Sequence, residues 1–155
     1  EIYNYKELIE KERLVCKTKS DTEVIIRLYQ KYQKNFINKL NGMFSFCIFD
    51  KTKECFFCAR DRFGKKPFFY YHKNNKFIFS SEIQPILKIL TCTPLLNQTA
   101  LQEYLTFWAP IGTNTFYQGI KKLPPGNFLY FDKKNFLMEP YYAIDKITQL
   151  TINGA

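Results

Sequence analysis

Nowhere in the 155 residues is there an unbroken apolar stretch of the roughly 18 or more needed to span a membrane as a helix. The first residues also lack a short apolar run between a basic start and a small-residue cleavage site, so neither membrane nor export is indicated. Histidine is nearly missing, with His72 alone, and a Cys-His nucleophile pair or a His-based metal site has little to draw on. The five cysteines are an odd number, which argues against a complete disulfide framework and fits a reducing compartment, the cytoplasm. Cys55-Phe56-Phe57-Cys58 resembles half a zinc site, yet no second such pair exists. In a regular strand its two sulfurs point to opposite faces, and both cysteines read as buried free thiols. Internal repeats and low-complexity tracts are also lacking.

What is present is an ordinary single-domain supply of core material, 46% hydrophobic and 18% aromatic. The formal net charge of +9 raises the question of a nucleic-acid partner, because clustered bases gain affinity by releasing phosphate counterions. The bases are not clustered. They run from Lys6 to Lys146, interleaved with acids in the first helices, and group only as the pairs Lys65-Lys66, Lys121-Lys122 and Lys133-Lys134. Solvated surface lysines account for them better than a nucleic-acid face.

Periodicity places a surface helix from Asn4 or Tyr5 to near Arg13, with Leu8 and Ile9 on its apolar side. A second helix, capped by Ser20 or Asp21, carries Val24, Ile25, Leu28 and Tyr29, and the apolar spacing continues through Tyr32, Phe36, Ile37 and Leu40 with room for a break. Asn41-Gly42 reads as its stop, glycine taking a left-handed cap. Met43–Phe49 and Cys55–Ala59 form an antiparallel hairpin, apolar on both faces and so expected to be covered on both sides. A second hairpin joins Pro67–Tyr71 to Phe77–Phe79, and a third joins Phe128–Phe131 to Phe136–Tyr142. Between the second and third, Ser81 opens one short helix, with Gln84 completing a capping box, and Thr99 caps another. Glu1 in place of Met, an apparent strand at Ile2–Asn4, and an end at Ala155 without a stop signal together lead to the expectation of a segment cut from a longer chain.

Five stretches in order carry a family resemblance. EIYNYKEL at Glu1 to Leu8 resembles the end of an N-G-E-I-Y-N element, and SDTEV at Ser20 to Val24 an S-D-[TC]-E element. LNGMFSFCIFD at Leu40 to Asp50, ARDRFGKKPFFYY at Ala59 to Tyr71 and FSSEI at Phe79 to Ile83 follow, then EYLTF at Glu103 to Phe107 and GIKKLPPGNFL at Gly119 to Leu129. Together these resemble glutamine-dependent asparagine synthetase, within the class II glutamine amidotransferases. Relatives of the same branch amidate sugars or antibiotic precursors.

The resemblance implies an α+β fold of N-terminal-nucleophile hydrolase type, with stacked antiparallel sheets between helical layers, here incomplete. It implies residues 1–131 as part of the amidotransferase domain and 132–155 as a final strand and connector toward a synthetase domain. In that family an initial cysteine attacks the glutamine side-chain amide with its own α-amino group as base, an Asn-Gly pair holds the oxyanion, and acids hold the substrate ammonium. Glu1 and Asp21 match those acids. Read without the resemblance, Asp21 is a helix cap and Glu1 a terminal charge.

The resemblance places the initial cysteine, the R-G-P-D segment and the Asn-Gly pair before Glu1 upstream of this chain, and Cys16, Cys47, Cys55, Cys58 and Cys92 cannot replace that cysteine, since none carries a free α-amino group. The chain alone is therefore expected to be catalytically silent and to hold no cofactor, ATP and magnesium belonging to the synthetase domain. Glutamine and that domain are the expected partners, with a homodimer for the longer protein. Arg60 and Asp61 read as structural, Asp61 accepting backbone hydrogen bonds in the loop to Pro67 and Arg60 anchoring it by a salt bridge. A non-enzymatic remnant and a basic, aromatic-rich nucleic-acid binder stand as the alternatives.

Overall fold

A computed structural model describes residues 1–91 and 94–143. Cys92 and most of the connector expected up to residue 155 lie outside the described residues. The chain begins with helices α1 (Tyr5–Glu12) and α2 (Asp21–Tyr32), then a 3₁₀ helix (Gln33–Lys39). Strands β1 (Ser45–Asp50), β2 (Cys55–Arg60), β3 (Phe69–Lys73) and β4 (Lys76–Ser80) follow, then helices α3 (Ile83–Ile89) and α4 (Gln98–Phe107), and finally β5 (Ile120–Lys122), β6 (Asn127–Phe131) and β7 (Phe136–Pro140). The strands form two antiparallel sheets, a four-stranded one in the order β1-β2-β6-β7 and a three-stranded one in the order β4-β3-β5.

Side-chain alternation along these strands builds the layers. In β2, Phe57 and Ala59 point to one face and join Val24, Leu28, Phe36 and Ile37 in a cluster beneath α1, α2 and the 3₁₀ helix. Cys58 points to the other face, where Leu129 and Phe131 meet Tyr70 of the second sheet and Phe68 and Leu123, which flank its strands. On the far side of β3, Phe69 and Tyr71 join Ile78, Ile120 and Ile86 of α3. The order is helices, sheet, sheet, helix, the stacked arrangement expected from the resemblance. The hairpin that reads as apolar on both faces is covered on both.

Turn chemistry agrees with the reading in outline. Asp50 Oδ1 accepts from Thr52 N at 3.0 Å and Lys53 N at 3.1 Å in the β1–β2 turn, and Asp132 Oδ1 accepts from Lys134 N and Asn135 N, each at 2.7 Å, in the β6–β7 turn. Asn74 and Asn75 both take positive φ, 50° and 58°, in the two-residue β3–β4 turn. The lone His72 is used as a flat surface, stacked on Phe136 with ring centroids 4.3 Å apart.

Four local expectations are corrected. The 3₁₀ helix ends at Lys39 with Leu40 extended, so Gly42 is no helix cap. Instead Gly42 bridges Ile2, and a Cβ there would stand 2.2 Å from the Glu1 carbonyl oxygen. The α3 cap position is Glu82 rather than Ser81, and Pro85 falls in the first turn, where no donor is needed. Asn97, not Thr99, caps α4 by accepting from Ala100 N at 3.3 Å. Finally, Ile120–Lys122, to which the sequence reading assigns no element, is the strand β5 paired with β3.

Candidate functional site

Ser20 caps α2, its side chain accepting from Thr22 N at 3.2 Å. That leaves the Asp21 carboxylate free to look outward from the first turn. Its Oδ2 accepts from Ile2 N at 2.9 Å, across 19 residues of sequence. Ile2 is buried in the helical-layer core, which pins the residue beside it. Glu1 is in turn bonded on both sides by Met43: Met43 N donates to Glu1 O at 3.0 Å, and the Glu1 nitrogen donates to Met43 O at 2.7 Å. Tyr3 N adds a bond to Asn41 O at 2.7 Å. These contacts and the close approach at Gly42 hold the first residues along the segment entering β1.

As a result Glu1 and Asp21, far apart in sequence, line one cavity of about 580 Å³. Its walls are Thr22, Ile25 and Ile26 of α2, the run Met43 to Phe49 leading through β1, and Lys66, Pro67 and Ser81. The cavity combines two carboxylates, an apolar strand face and one lysine. The sequence reading takes Lys66 only as one of a pair of solvated surface lysines.

Glu23 is also missed by that reading. It accepts from Lys17 N at 2.9 Å, Thr18 N and Thr18 Oγ1 each at 2.7 Å, and Arg27 at 3.1 Å, sewing the preceding segment to α2. These bonds, led by the Lys17 amide and the Thr18 hydroxyl, pull its pKa down to about 2. The Ser20-x-x-Glu23 spacing is the available signal, since it is that of a capping box in which the acid reaches back over the helix start.

The loop from Asp61 to Pro67 supplies the cavity's Lys66 and Pro67. Asp61 is 1% exposed. Its Oδ1 accepts from Phe63 N at 3.1 Å and Lys65 N at 2.9 Å, and its Oδ2 from Lys66 N at 2.9 Å, the backbone role expected of it. Arg60 anchors the loop differently from the expectation. It donates to three carbonyl oxygens, Lys66 O and Leu123 O at 2.7 Å and Gly64 O at 2.8 Å, rather than to a carboxylate. Burial lowers its pKa from the ordinary arginine value. Gly64 has φ 64°, and a Cβ there would stand 2.9 Å from Pro125 and 3.1 Å from the Arg60 guanidinium. Pro124-Pro125-Gly126 thus braces the loop from behind, with Gly126 N donating to Asp61 O at 2.9 Å.

Among the described residues no three His, Cys, Asp or Glu side chains group in a way that could hold a metal ion. Nor is any helix there long and apolar enough to cross a membrane.

A family model described as "Glutamine amidotransferase domain" matches residues 1–142. Among curated relatives, a Methanocaldococcus jannaschii protein named "Putative asparagine synthetase (glutamine-hydrolyzing) 2" is 42% identical over 144 residues, spanning 92% of this chain and 28% of its own length. Asparagine synthetase (glutamine-hydrolyzing) 3 of Bacillus subtilis is 34% identical over 127 residues, with shares of 81% and 21%. The chain therefore spans less than a third of the length of these relatives. Among solved structures, a glutamine phosphoribosylpyrophosphate amidotransferase from B. subtilis, complexed with ADP and GMP, superposes with a TM-score of 0.59 at 18% identity, covering 91% of this chain and 27% of that one. At that identity the likeness is one of fold.

Proposed function

The chain belongs to the glutamine amidotransferase domain family, in its asparagine-synthetase branch, and from that premise we propose that the cavity beside α2 receives glutamine, with Glu1 and Asp21 as the two carboxylates that hold its α-ammonium. The observation that carries this reading is the convergence of two acids, brought from separate elements, on one cavity. Asp21 spends Oδ2 on the Ile2 amide, and no hydrogen bond reaches its Oδ1 among the described residues. That orientation suits a second, charge-assisted donor. The apolar face of β1 offers the substrate's methylenes a dry wall.

The attacking thiol and the oxyanion donors are proposed to come from a segment preceding Glu1, as the resemblance implies. In a longer protein of the relatives' kind, the ammonia released would pass to a synthetase domain that uses ATP and magnesium to amidate aspartate.

Titration of the chain with L-glutamine and with glutaramic acid, which is glutamine without the α-amino group, tests the assignment. Native protein is expected to prefer glutamine. Asp21→Ala is expected to weaken glutamine by about ten- to a hundredfold, the equivalent of roughly 1.5–3 kcal/mol for a charge-assisted contact, while leaving glutaramic acid unchanged. Equal losses for both ligands would mean that Asp21 does not hold the ammonium.

A further inference from the structure

Cys47 of β1 and Cys58 of β2 are directly opposite in the antiparallel register. Both point into the layer between the two sheets, packed with Leu129, Phe131 and Tyr70. Their sulfurs stand 3.2 Å apart. Cys58 is fully buried, whereas Cys47 is partly exposed and lines the cavity of Glu1 and Asp21. Cys16 and Cys55, also free thiols, have no cysteine in comparable contact among the described residues.

We propose that Cys47 and Cys58 form a reversible cross-strand disulfide, with Cys47 as the thiol that meets an oxidant of the hydroperoxide class and Cys58 as the thiol that resolves it. The Cys47 thiolate attacks the O–O bond of hydrogen peroxide, keeps one oxygen as a sulfenic acid, and releases hydroxide that takes up the displaced thiol proton as water. The Cys58 sulfur then attacks the Cys47 sulfur. The S–S bond forms as the S–O bond breaks, and the hydroxyl leaves with the Cys58 proton as a second water. Two thiols have lost two electrons, and one peroxide has become two waters.

Exposure decides the division of roles, since an oxidant reaches Cys47 through the cavity while Cys58 is fully buried with its sulfur against that of Cys47. Burial raises the Cys58 pKa well above its ordinary value, which keeps it a protonated bystander until the sulfenic acid forms beside it. Directly opposed residues in a sheet hold their Cβ atoms about 4.5–5.5 Å apart, while a disulfide wants about 3.5–4.5 Å. The 3.2 Å between the two sulfurs must shrink to the roughly 2.05 Å of a disulfide, which draws the strands together. Strand β1 is able to move, because among the described residues it is the edge of its sheet and pairs only with β2. A bond that draws an edge strand inward is the reducible kind. The proposal stands on the two sulfurs and is independent of what the cavity binds.

The test is peptide mapping of the full chain after limited hydrogen peroxide, with remaining thiols blocked by N-ethylmaleimide. The expected product has lost two hydrogens, carries a single Cys47–Cys58 cross-link, leaves three of the five cysteines blocked, and returns to five blocked thiols after dithiothreitol. Cys47→Ser and Cys58→Ser each are expected to remove the cross-link, whereas Cys16→Ser and Cys55→Ser keep it. Chain unfolded in urea, oxidised alongside, is expected to scatter its pairings. Sulfinic or sulfonic acid at Cys47 with Cys58 still blocked, a dominant linkage to another cysteine, or no linkage in the folded chain would each overturn the proposal.

Discussion

Asp61 is a buried carboxylate whose neighbours in sequence, Arg60 and Arg62, invite an ion-pair reading. Its oxygens are taken instead by three backbone N–H groups of its own loop. Removing the side chain strands three donors that face a carboxylate only 1% exposed, and each orphan costs up to about 1–3 kcal/mol before the loop relaxes. Asp61→Ala is accordingly expected to destabilise the fold by about 3 kcal/mol in urea denaturation, and Asp61→Asn by less, since one amide oxygen still accepts. Equal stability of the native and alanine proteins would mean that the loop is held from Arg60 alone. At the same scale, Ser20 and Asp21 divide the work at one helix start. The hydroxyl satisfies the helix, and the carboxylate is left to reach Ile2 and the cavity.

The helical elements are joined by one carboxylate. Glu12, at the end of α1, accepts from Tyr32 Oη at the end of α2, from Lys31 Nζ at 3.2 Å, and from Lys39 Nζ of the 3₁₀ helix at 2.9 Å. The tyrosine hydrogen bond first, then the Lys39 ammonium, hold its pKa near 2 against an ordinary 4.5. A carboxylate with a depressed folded pKa contributes stability above its unfolded pKa and loses it as pH falls through the folded one. Its contribution, like that of Glu23, is thus complete above pH 4.5 and is lost between 4.5 and about 2. Urea midpoints measured from pH 7 down to pH 2 should fall through that window in the native chain. Glu12→Gln is expected to lower the midpoint at pH 7 and flatten the decline. An unchanged acid limb in that variant would assign the decline to Glu23 and the remaining carboxylates.

At the scale of the whole molecule, protection follows layer position. Strand β2 lies between β1 and β6, with apolar layers on both faces. Hydrogen exchange should therefore be slowest at the amides of Phe56 to Ala59, and faster in β5 and β7, which lie at the edges of their sheets. Protection of β7 equal to that of β2 would contradict this layering. The amino-acid sequence by itself determined the hairpins, because short apolar runs bounded by turn residues are local features of the chain. It also carried the family motifs, and with them Glu1 and Asp21 as a pair worth testing. Tertiary structure alone decided that Ile120–Lys122 is a strand, since two lysines in three residues carry no strand pattern until β3 lies alongside. It decided which of adjacent capping residues is used, because the direction from which the chain enters a helix is set by what the helix packs on. It also turned Gly42 from a supposed cap into a crossing point for Glu1, and set Cys47 against Cys58. Those facts depend on which strand lies next to which, and pairing between segments distant in sequence is a property of the folded whole.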